Sequence, residues 1–569
     1  MEKREVIRIL EEIALLLELQ GENPFKARAY TNAARTLDGT SEDLGELVAS
    51  GRIGDLPGIG EALREKLTTL VTTGKLPYYE ELRAVFPPGI FELLRIPGLG
   101  PRKIRVIREN LGVSSLGELE YACHENRLVD LPGFGAKSQG KILQGIEQLK
   151  RHRERFHCDV AQREGEALLA ALREHPAVVR IALAGSIRRR CETSKDVDLV
   201  ASSSDPGALM AAFVSLPEAA GVVARGETKS SIRLSSGMGA DLRVVSDGEF
   251  PFALHHFTGS KEHNVALRAR ALKQGLKMNE YGLFRGEEPL PCRDEAEIFA
   301  RLGLAPIPPE MREDRGEIEA GERGEFPRLV EWEDLQGVLH VHTCASDGSA
   351  TLEEMAGAAR RLGMDYLGIC DHSKAARYAG GLDEGRLMEQ HRSIDALNRS
   401  LEGITLLKGI EVDILADGTL DFSDTFLARF DFVVASVHSR FNLSEAEMTR
   451  RIVRAVSNPC VRILGHPTGR LLLAREPYPL DMKAVIRAAA ENGVCIELNA
   501  NPHRLDVDWR VIPEVKAAGL KVSINPDAHH PEGLADMRYG VGIARKGGLT
   551  REDVLNTMGL PDLIRYLRR

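Results

Sequence analysis

The chain has no apolar run of the roughly 18–20 residues that a membrane span needs, which excludes a membrane-spanning helix. Its first stretch, MEKREVIRILEEIALLLELQG, alternates charge with apolar residues at helical spacing and lacks the apolar core of a cleavable leader, so none is expected. There is no Cys-x-x-Cys. The cysteines (Cys123, Cys158, Cys191, Cys292, Cys344, Cys370, Cys460 and Cys495) lie far apart, which argues against a disulfide scaffold and predicts reduced core thiols in the cytoplasm. Excess positive charge is missing too, the formal net charge being −9. Phosphate binding depends on local patches and not on the sum, so nucleic acid stays open as a partner. Apolar residues are not scarce: 43% hydrophobic against 28% charged excludes wholesale disorder. At 569 residues the chain exceeds one core of about 100–200 residues, so several domains are expected.

The clearest internal feature is a repeat. Leu56-Pro57-Gly58-Ile59-Gly60, Ile96-Pro97-Gly98-Leu99-Gly100 and Leu131-Pro132-Gly133-Phe134-Gly135 are one motif, 40 and then 35 residues apart. Helices with a basic face are predicted behind them over Glu61–Leu70, Pro101–Leu111 and Ala136–Gln148. In a helix–Gly-x-Gly–helix turn the missing side chains let backbone N–H groups approach a phosphate at a helix N-terminus. Nothing in the unit reads bases, so Gly58, Gly60, Gly98, Gly100, Gly133 and Gly135 are candidates for sequence-independent DNA binding. A single copy would equally be an ordinary turn.

From about 156 to 300 short β-rich runs appear at Val178–Ala184, Val197–Ala201, Ser231–Leu234 and Asp241–Val245, predicting an antiparallel or mixed sheet. Gly185-Ser186-Ile187-Arg188-Arg189 follows the first run, and strand alternation puts Asp196 and Asp198 on one face. With Asp241 they form three carboxylates suited to two magnesium ions, about 3.5–4 Å apart, while Ser186 and Arg189 would hold a triphosphate. A surface Asp-x-Asp beside an arginine-rich loop is the plain alternative. Residues 306–328 are rich in Pro and Glu and read as a solvated linker.

Beyond the linker seven apolar runs end in polar or metal-type residues: Gly337–His342, Tyr366–His372, Thr405–Glu411, Phe432–His438, Val461–His466, Val494–Asn499 and Lys521–Asp527. Amphipathic helical stretches such as Leu352–Leu362 and Asp481–Asn492 separate them, so a closed parallel barrel is expected. His340, His342, Asp347, His372, Glu411, His438, His466, Asp527 and His529 fall at or just beyond strand C-termini, where barrel active sites form. Imidazole with carboxylate favours zinc, manganese or iron over calcium, and nine ligands imply two or three ions. Asp371 would either orient an imidazole or cap a helix.

The Gly-Ser turn, Asp-x-Asp, Asp241, His256-Phe257-Thr258-Gly259-Ser260, Asn264, Arg268 and Asn279-Glu280-Tyr281 resemble the nucleotidyltransferase core of the family X DNA polymerases. The resemblance implies that Asp196, Asp198 and Asp241 hold two Mg2+, with Asp241 nearest the primer 3′-OH. It places Gly185, Ser186, Arg189, Ser194 and Lys195 at the nucleotide's phosphates. It sets Phe257 and Gly259 against the sugar, Asn264 at the base edge and Arg268 toward the template strand. Lys195 stands where the family has Gly, and His256 where it has Tyr, which touches ribose exclusion. Lys66 falls on the family's lyase lysine, although a neighbouring lysine of that pattern is Ala62 here, and an ordinary solvated lysine is the alternative.

The C-terminal part resembles the polymerase-and-histidinol-phosphatase (PHP) phosphoesterases. The resemblance assigns His340, His342, Glu411 and Asp527 to one ion, Glu411, His438 and His466 to a second, and Asp347, His372 and His529 to a third, as Mn2+ or Zn2+.

Together these imply a bacterial family X DNA polymerase of multidomain α plus α/β architecture. A lyase-like helix-hairpin-helix domain would span 1–85, a fingers-like helical domain 86–155, a palm 156–240 (extending to about 250) and a thumb-like subdomain 251–308. A linker at 309–330 and a (βα)7 PHP domain at 331–569 would follow. The implied activities are dNTP-dependent filling of gapped, nicked or primer-template DNA in base-excision repair, and 3′–5′ exonuclease or 3′-end phosphoesterase action, by a cytoplasmic monomer. Three other readings stay open: a small-molecule phosphatase, a DNA-end-binding polymerase with a structural barrel, and a tRNA or antibiotic nucleotidyltransferase.

Overall fold

A computed structural model describes residues 3–40, 42–87, 89–150, 155–324 and 326–568. The chain divides into two compact units, Met1–Leu149 and Lys150–Arg569. No helix among the described residues is long and apolar enough to cross a membrane.

The first unit is helical. Its core gathers Ile13, Leu17, Leu37, Leu67, Ile90, Ile104 and Ile146 from successive helices. Pro101–Leu111 shows how the sequence builds one of them. Gly100 precedes it, Pro101 supplies a preset φ, Ile104 and Ile107 turn inward, and left-handed Gly112 (φ 69°) stops it. The helices after the first and third glycine motifs run Glu61–Thr73 and Ala136–Lys150.

The second unit opens with a five-stranded mixed sheet in the order Val178–Leu183, Asp196–Ser203, Gly239–Val245, Lys229–Leu234, Ala219–Arg225. Asp196–Ser203 and Gly239–Val245 pair in parallel and the other neighbours are antiparallel. The edge strand Ala219–Arg225 escapes the sequence reading because it is largely exposed and contains Gly221, so no alternation marks it. Helices Phe250–Thr258 and Lys261–Lys273 follow, with a second small core around Phe252, Leu267, Phe299 and Ile307.

Residues 306–328, expected as a solvated linker, are partly packed among the described residues. Ile307 and Ile318 enter the core just described, and Glu310, Arg312 and Glu317 are buried. The buried acids are paired: Glu317 accepts from buried His263 (2.6 Å), and Glu310 from Arg545 (2.8 Å), whereas Asp314 and Glu319 are exposed.

The barrel follows the predicted alternation. Parallel strands Gly337–Val341, Tyr366–Ile369, Thr405–Lys408, Val434–Ser436, Ile463–Leu464, Cys495–Asn499 and Val522–Asn525 occupy the seven positions among the described residues. The third breaks at Gly409-Ile410 and resumes as Glu411–Asp413, which pairs with the fourth. A parallel bridge between Val341 and Ala528 closes the ring. One mouth is plugged by helix Leu560–Leu567, whose Leu563 and Leu567 pack on Leu339, Tyr366, Leu407 and Phe432. The expectation of core thiols holds for Cys123, Cys292, Cys370 and Cys495, whereas Cys344 is exposed and Cys158, Cys191 and Cys460 are half-buried.

Leu563→Ala should destabilise the larger unit by about 2–5 kcal/mol, because the plug cannot collapse into the space left. Urea denaturation measures this, and an unchanged midpoint would show that the plug contributes nothing to barrel stability.

Candidate metal centres

The parallel pairing registers Asp198 opposite Asp241, and Asp196 opposite Gly239. Alternation turns all three carboxylates to one face while Val197, Ala240 and Leu242 go to the core. Burial, then Asp196 and Asp241, push the Asp198 carboxyl up to about 6. Asp196 is raised by burial and by Asp241. Lys229 Nζ offsets part of this charge at 2.6 Å from Asp241 Oδ2. Crowded carboxylates short of counter-charge fit divalent ions.

Gly185 is required here twice. Its φ is +59°, and a Cβ would stand 2.1 Å from Asp198 Oδ2. Ser186 Oγ lies 2.9 Å from Ser194 Oγ, and Lys195 is exposed beside them.

Arg189 has partners remote in sequence. Its Nε donates to Glu313 (3.0 Å) and its Nη1 to the Thr258 carbonyl (2.7 Å), so the guanidinium braces protein. Asn264 is also engaged internally. Its Nδ2 donates to the carbonyls of His256 (2.7 Å) and Gly259 (3.3 Å), which shapes that turn. Gly259 leaves the room this needs, since a Cβ there would meet Asn264 Oδ1 at 2.8 Å. His256 stands edge-on to Phe257, whose other neighbour is the Arg243 guanidinium, 4.2 Å from the ring centroid. Burial lowers the His256 imidazole below its usual range. Arg268 is exposed, and its Nε donates to the Asn264 carbonyl (3.2 Å).

In the barrel all nine predicted residues come together at the strand C-termini. His342, Asp347, His372 and His529 form one cluster, His340, His342 and Asp527 another, and His372, Glu411 and His438 a third. His342 and His372 each lie in two of these groups, and His466 joins them at 3.0 Å from Glu411, the residue expected to bridge two ions. Glu411, just past the strand break, has five imidazoles within 3.7 Å: His372 (2.9 Å), His466 (3.0 Å), His438 (3.2 Å), His340 (3.5 Å) and His342 (3.7 Å). Among the described residues, His340 Nε2, His342 Nδ1, His372 Nε2 and His466 Nδ1 are buried without a hydrogen-bond partner. Such imidazole nitrogens facing carboxylates are a donor set that divalent ions satisfy.

The sequence reading missed the residues that orient these ligands. Glu497, fully buried, accepts from His340 Nδ1 (2.7 Å) and from the His466 backbone N–H (2.6 Å), which leaves His340 Nε2 facing the acids. Asp413 accepts from His438 Nδ1 (3.3 Å). An acid inside the apolar run Cys495–Asn499 was the available signal for Glu497. Asp371 neither caps a helix nor meets an imidazole. It accepts from Thr343 N–H (2.8 Å) and from the side chains of Thr343 (2.6 Å), Ser346 (2.5 Å) and Gln390 (2.5 Å), fastening the loop that carries Asp347.

In the helical unit, Gly58, Gly98 and Gly133 share the left-handed region at φ 82°, 79° and 83°. Gly60, Gly100 and Gly135 do not, and a Cβ on any of the six would meet open space. Lys66 Nζ lies 4.5 Å from the Tyr78 ring centroid and 5.8 Å from that of Tyr30.

Known families match in the same order. A helix-hairpin-helix domain matches residues 1–76, a SAM-like helix-hairpin-helix tandem 90–148, a DNA polymerase beta thumb 253–313 and a PHP domain 339–501. The DNA polymerase/3′-5′ exonuclease PolX of Bacillus subtilis (strain 168) is 39% identical over 573 aligned residues, covering 100% of both chains. Probable phosphatases of Thermoanaerobacter sp. (strain X514) and Syntrophotalea carbinolica are 29% and 28% identical, covering 38% of this chain and 89% and 90% of theirs. A polymerase thumb beside an acid-bearing mixed sheet, joined to a PHP barrel, defines a polymerase carrying its own phosphoesterase. Whole-length identity then makes the particular assignment: the chain belongs to the bacterial family X DNA polymerases with a C-terminal PHP domain.

Glu497→Gln should weaken metal retention by the full-length protein about 10–100-fold. Metal content after dialysis against graded chelator reads this directly, and unchanged retention would show that Glu497 does not orient His340.

Proposed function

We propose that this polymerase fills short gaps and nicks in DNA during base-excision repair, and that its barrel hydrolyses 3′ ends to leave an extendable hydroxyl. The observation that carries the reading is the presence of two separate clusters of metal-ligand side chains on two β-scaffolds of one chain. In this reading Asp196, Asp198 and Asp241 hold two magnesium ions, and the nine barrel residues hold two or three manganese or zinc ions. Such ions supply neutralisation of the transferring phosphoryl group and a lowered pKa for the attacking oxygen.

The remaining work falls to the chain itself. Gly185 brings bare backbone beside Asp198, and Ser186 presents its hydroxyl for the triphosphate, set by buried Ser194, whose Oγ lies 2.9 Å away. Phe257, held between His256 and Arg243, forms a wall for the sugar, with the smaller His256 where the family has tyrosine. Glu497 and Asp413 keep His340 and His438 in the tautomer whose Nε2 lone pair faces Glu411. The six motif glycines support phosphate contact on a specific ground. Gly60, Gly100 and Gly135 have neither a positive φ nor a neighbour to clash with, so the protein alone does not require them, whereas a close backbone approach by DNA would. Lys66, held over Tyr78, has no assigned step here.

The test is a one-nucleotide-gapped, 3′-labelled DNA with magnesium or manganese, with and without dNTPs. Asp198→Ala should reduce extension at least about 100-fold while shortening persists, and His342→Ala should do the reverse. Joint loss of both activities in either variant would refute two independent centres. Shortening unaffected by His342→Ala would favour a structural barrel.

A further inference from the structure

Lys546 ends the barrel helix Met537–Lys546, and its side chain is only 1% exposed. Its ammonium has four acceptors, and none of them belongs to the barrel, whose Trp509 ring lies against it at 4.7 Å from the centroid. They are the Glu313 carboxylate, the Glu310 carbonyl (3.3 Å), the Arg189 carbonyl (3.2 Å) and, at 3.9 Å, Cys191 Sγ. Arg189 closes the Gly-Ser turn. Its own side chain donates to the same Glu313 and to the Thr258 carbonyl, and Arg188 donates to Thr258 Oγ1 (2.7 Å). Thr258 lies between Phe257 and Gly259. One barrel ammonium is thus tied to both walls of the nucleotide site, Gly185–Arg189 on one side and His256–Ser260 on the other.

The contacts around this point are tight. Arg545, next to Lys546, pairs with Glu310 (2.8 Å), and the Arg190 side chain lies against Gly542, where a Cβ would meet its Cγ at 3.2 Å. Burial alone would raise the Glu313 carboxyl, yet Lys546 and Arg189 hold it below its usual range. A buried charge cluster is costly beside well-packed apolar side chains, so its presence calls for a role in specifying geometry.

We propose that Lys546 is a positioning residue for nucleotide binding: through Arg189 and Glu313 the hydrolytic domain sets the spacing between the Gly-Ser turn and the Phe257–Gly259 wall. This rests on the reading of those two turns as nucleotide-contacting. It goes beyond that reading by making dNTP affinity depend on a side chain of the barrel.

The experiment uses the full-length chain and steady-state incorporation on gapped DNA. Lys546→Met should raise KM for dNTP about tenfold with kcat nearly unchanged and 3′ hydrolysis intact, and Lys546→Arg should restore most of the affinity. Glu313→Gln, which leaves the ammonium its two carbonyl acceptors, should give the same KM rise and serves if Lys546→Met does not fold. An unchanged KM in Glu313→Gln and in folded Lys546→Met would overturn the proposal. So would parallel loss of kcat and hydrolysis with a lowered melting temperature, the signature of packing alone. Ser186→Ala run alongside separates the two levels. If it too leaves KM unmoved, the reading of the Gly-Ser turn has failed; if it raises KM while Lys546→Met and Glu313→Gln do not, the positioning role has failed.

Discussion

Metal-ligand side chains forced together by β-pairing are the constraint on which this molecule is organised. Parallel registration sets Asp198 against Asp241, and alternation adds Asp196 on the same face. In the barrel, converging strand ends do the same to imidazoles and carboxylates. The three carboxylates repel one another in the bare chain, and the barrel's imidazoles and carboxylates, though they attract, are buried without full hydrogen bonding. Burial and mutual repulsion raise Asp198, and several barrel nitrogens have no hydrogen-bond partner among the described residues. The stability of the surrounding sheets holds these groups in place, and cations are what such an arrangement is ready to receive.

The two centres are built differently from the same principle. The palm relies on a flat register between neighbouring strands, with a glycine at the one point where a side chain would strike Asp198. The barrel relies on convergence, and on acids such as Glu497 and Asp413 that fix which imidazole nitrogen points inward. Between the two lies a segment whose buried acids Glu310 and Glu317 are paired internally, and the mixed sheet, thumb and barrel belong to one compact unit.

Much of this was legible in the residues. Strict alternation of apolar runs gave the barrel, because each run ends in a side chain whose chemistry differs sharply from the run itself. The three glycine motifs were visible as repeats, and the acids of the palm as a strand-spaced pair plus a third. What escaped depended on partners remote in sequence. That Arg189 pairs with Glu313, 124 residues away, is shown by nothing local. Residues 306–328 looked solvated because composition counts acids without showing their cations. The strand Ala219–Arg225 was missed because an exposed edge imposes no pattern on its sequence.

Glu411 carries a consequence for how the barrel fills. Its two oxygens face five imidazoles at once, just past the point where the third strand is interrupted. A carboxylate shared so widely cannot be engaged by one cation without altering what it offers the next. Ions held at these imidazoles would therefore be thermodynamically coupled, each changing the affinity for its neighbours.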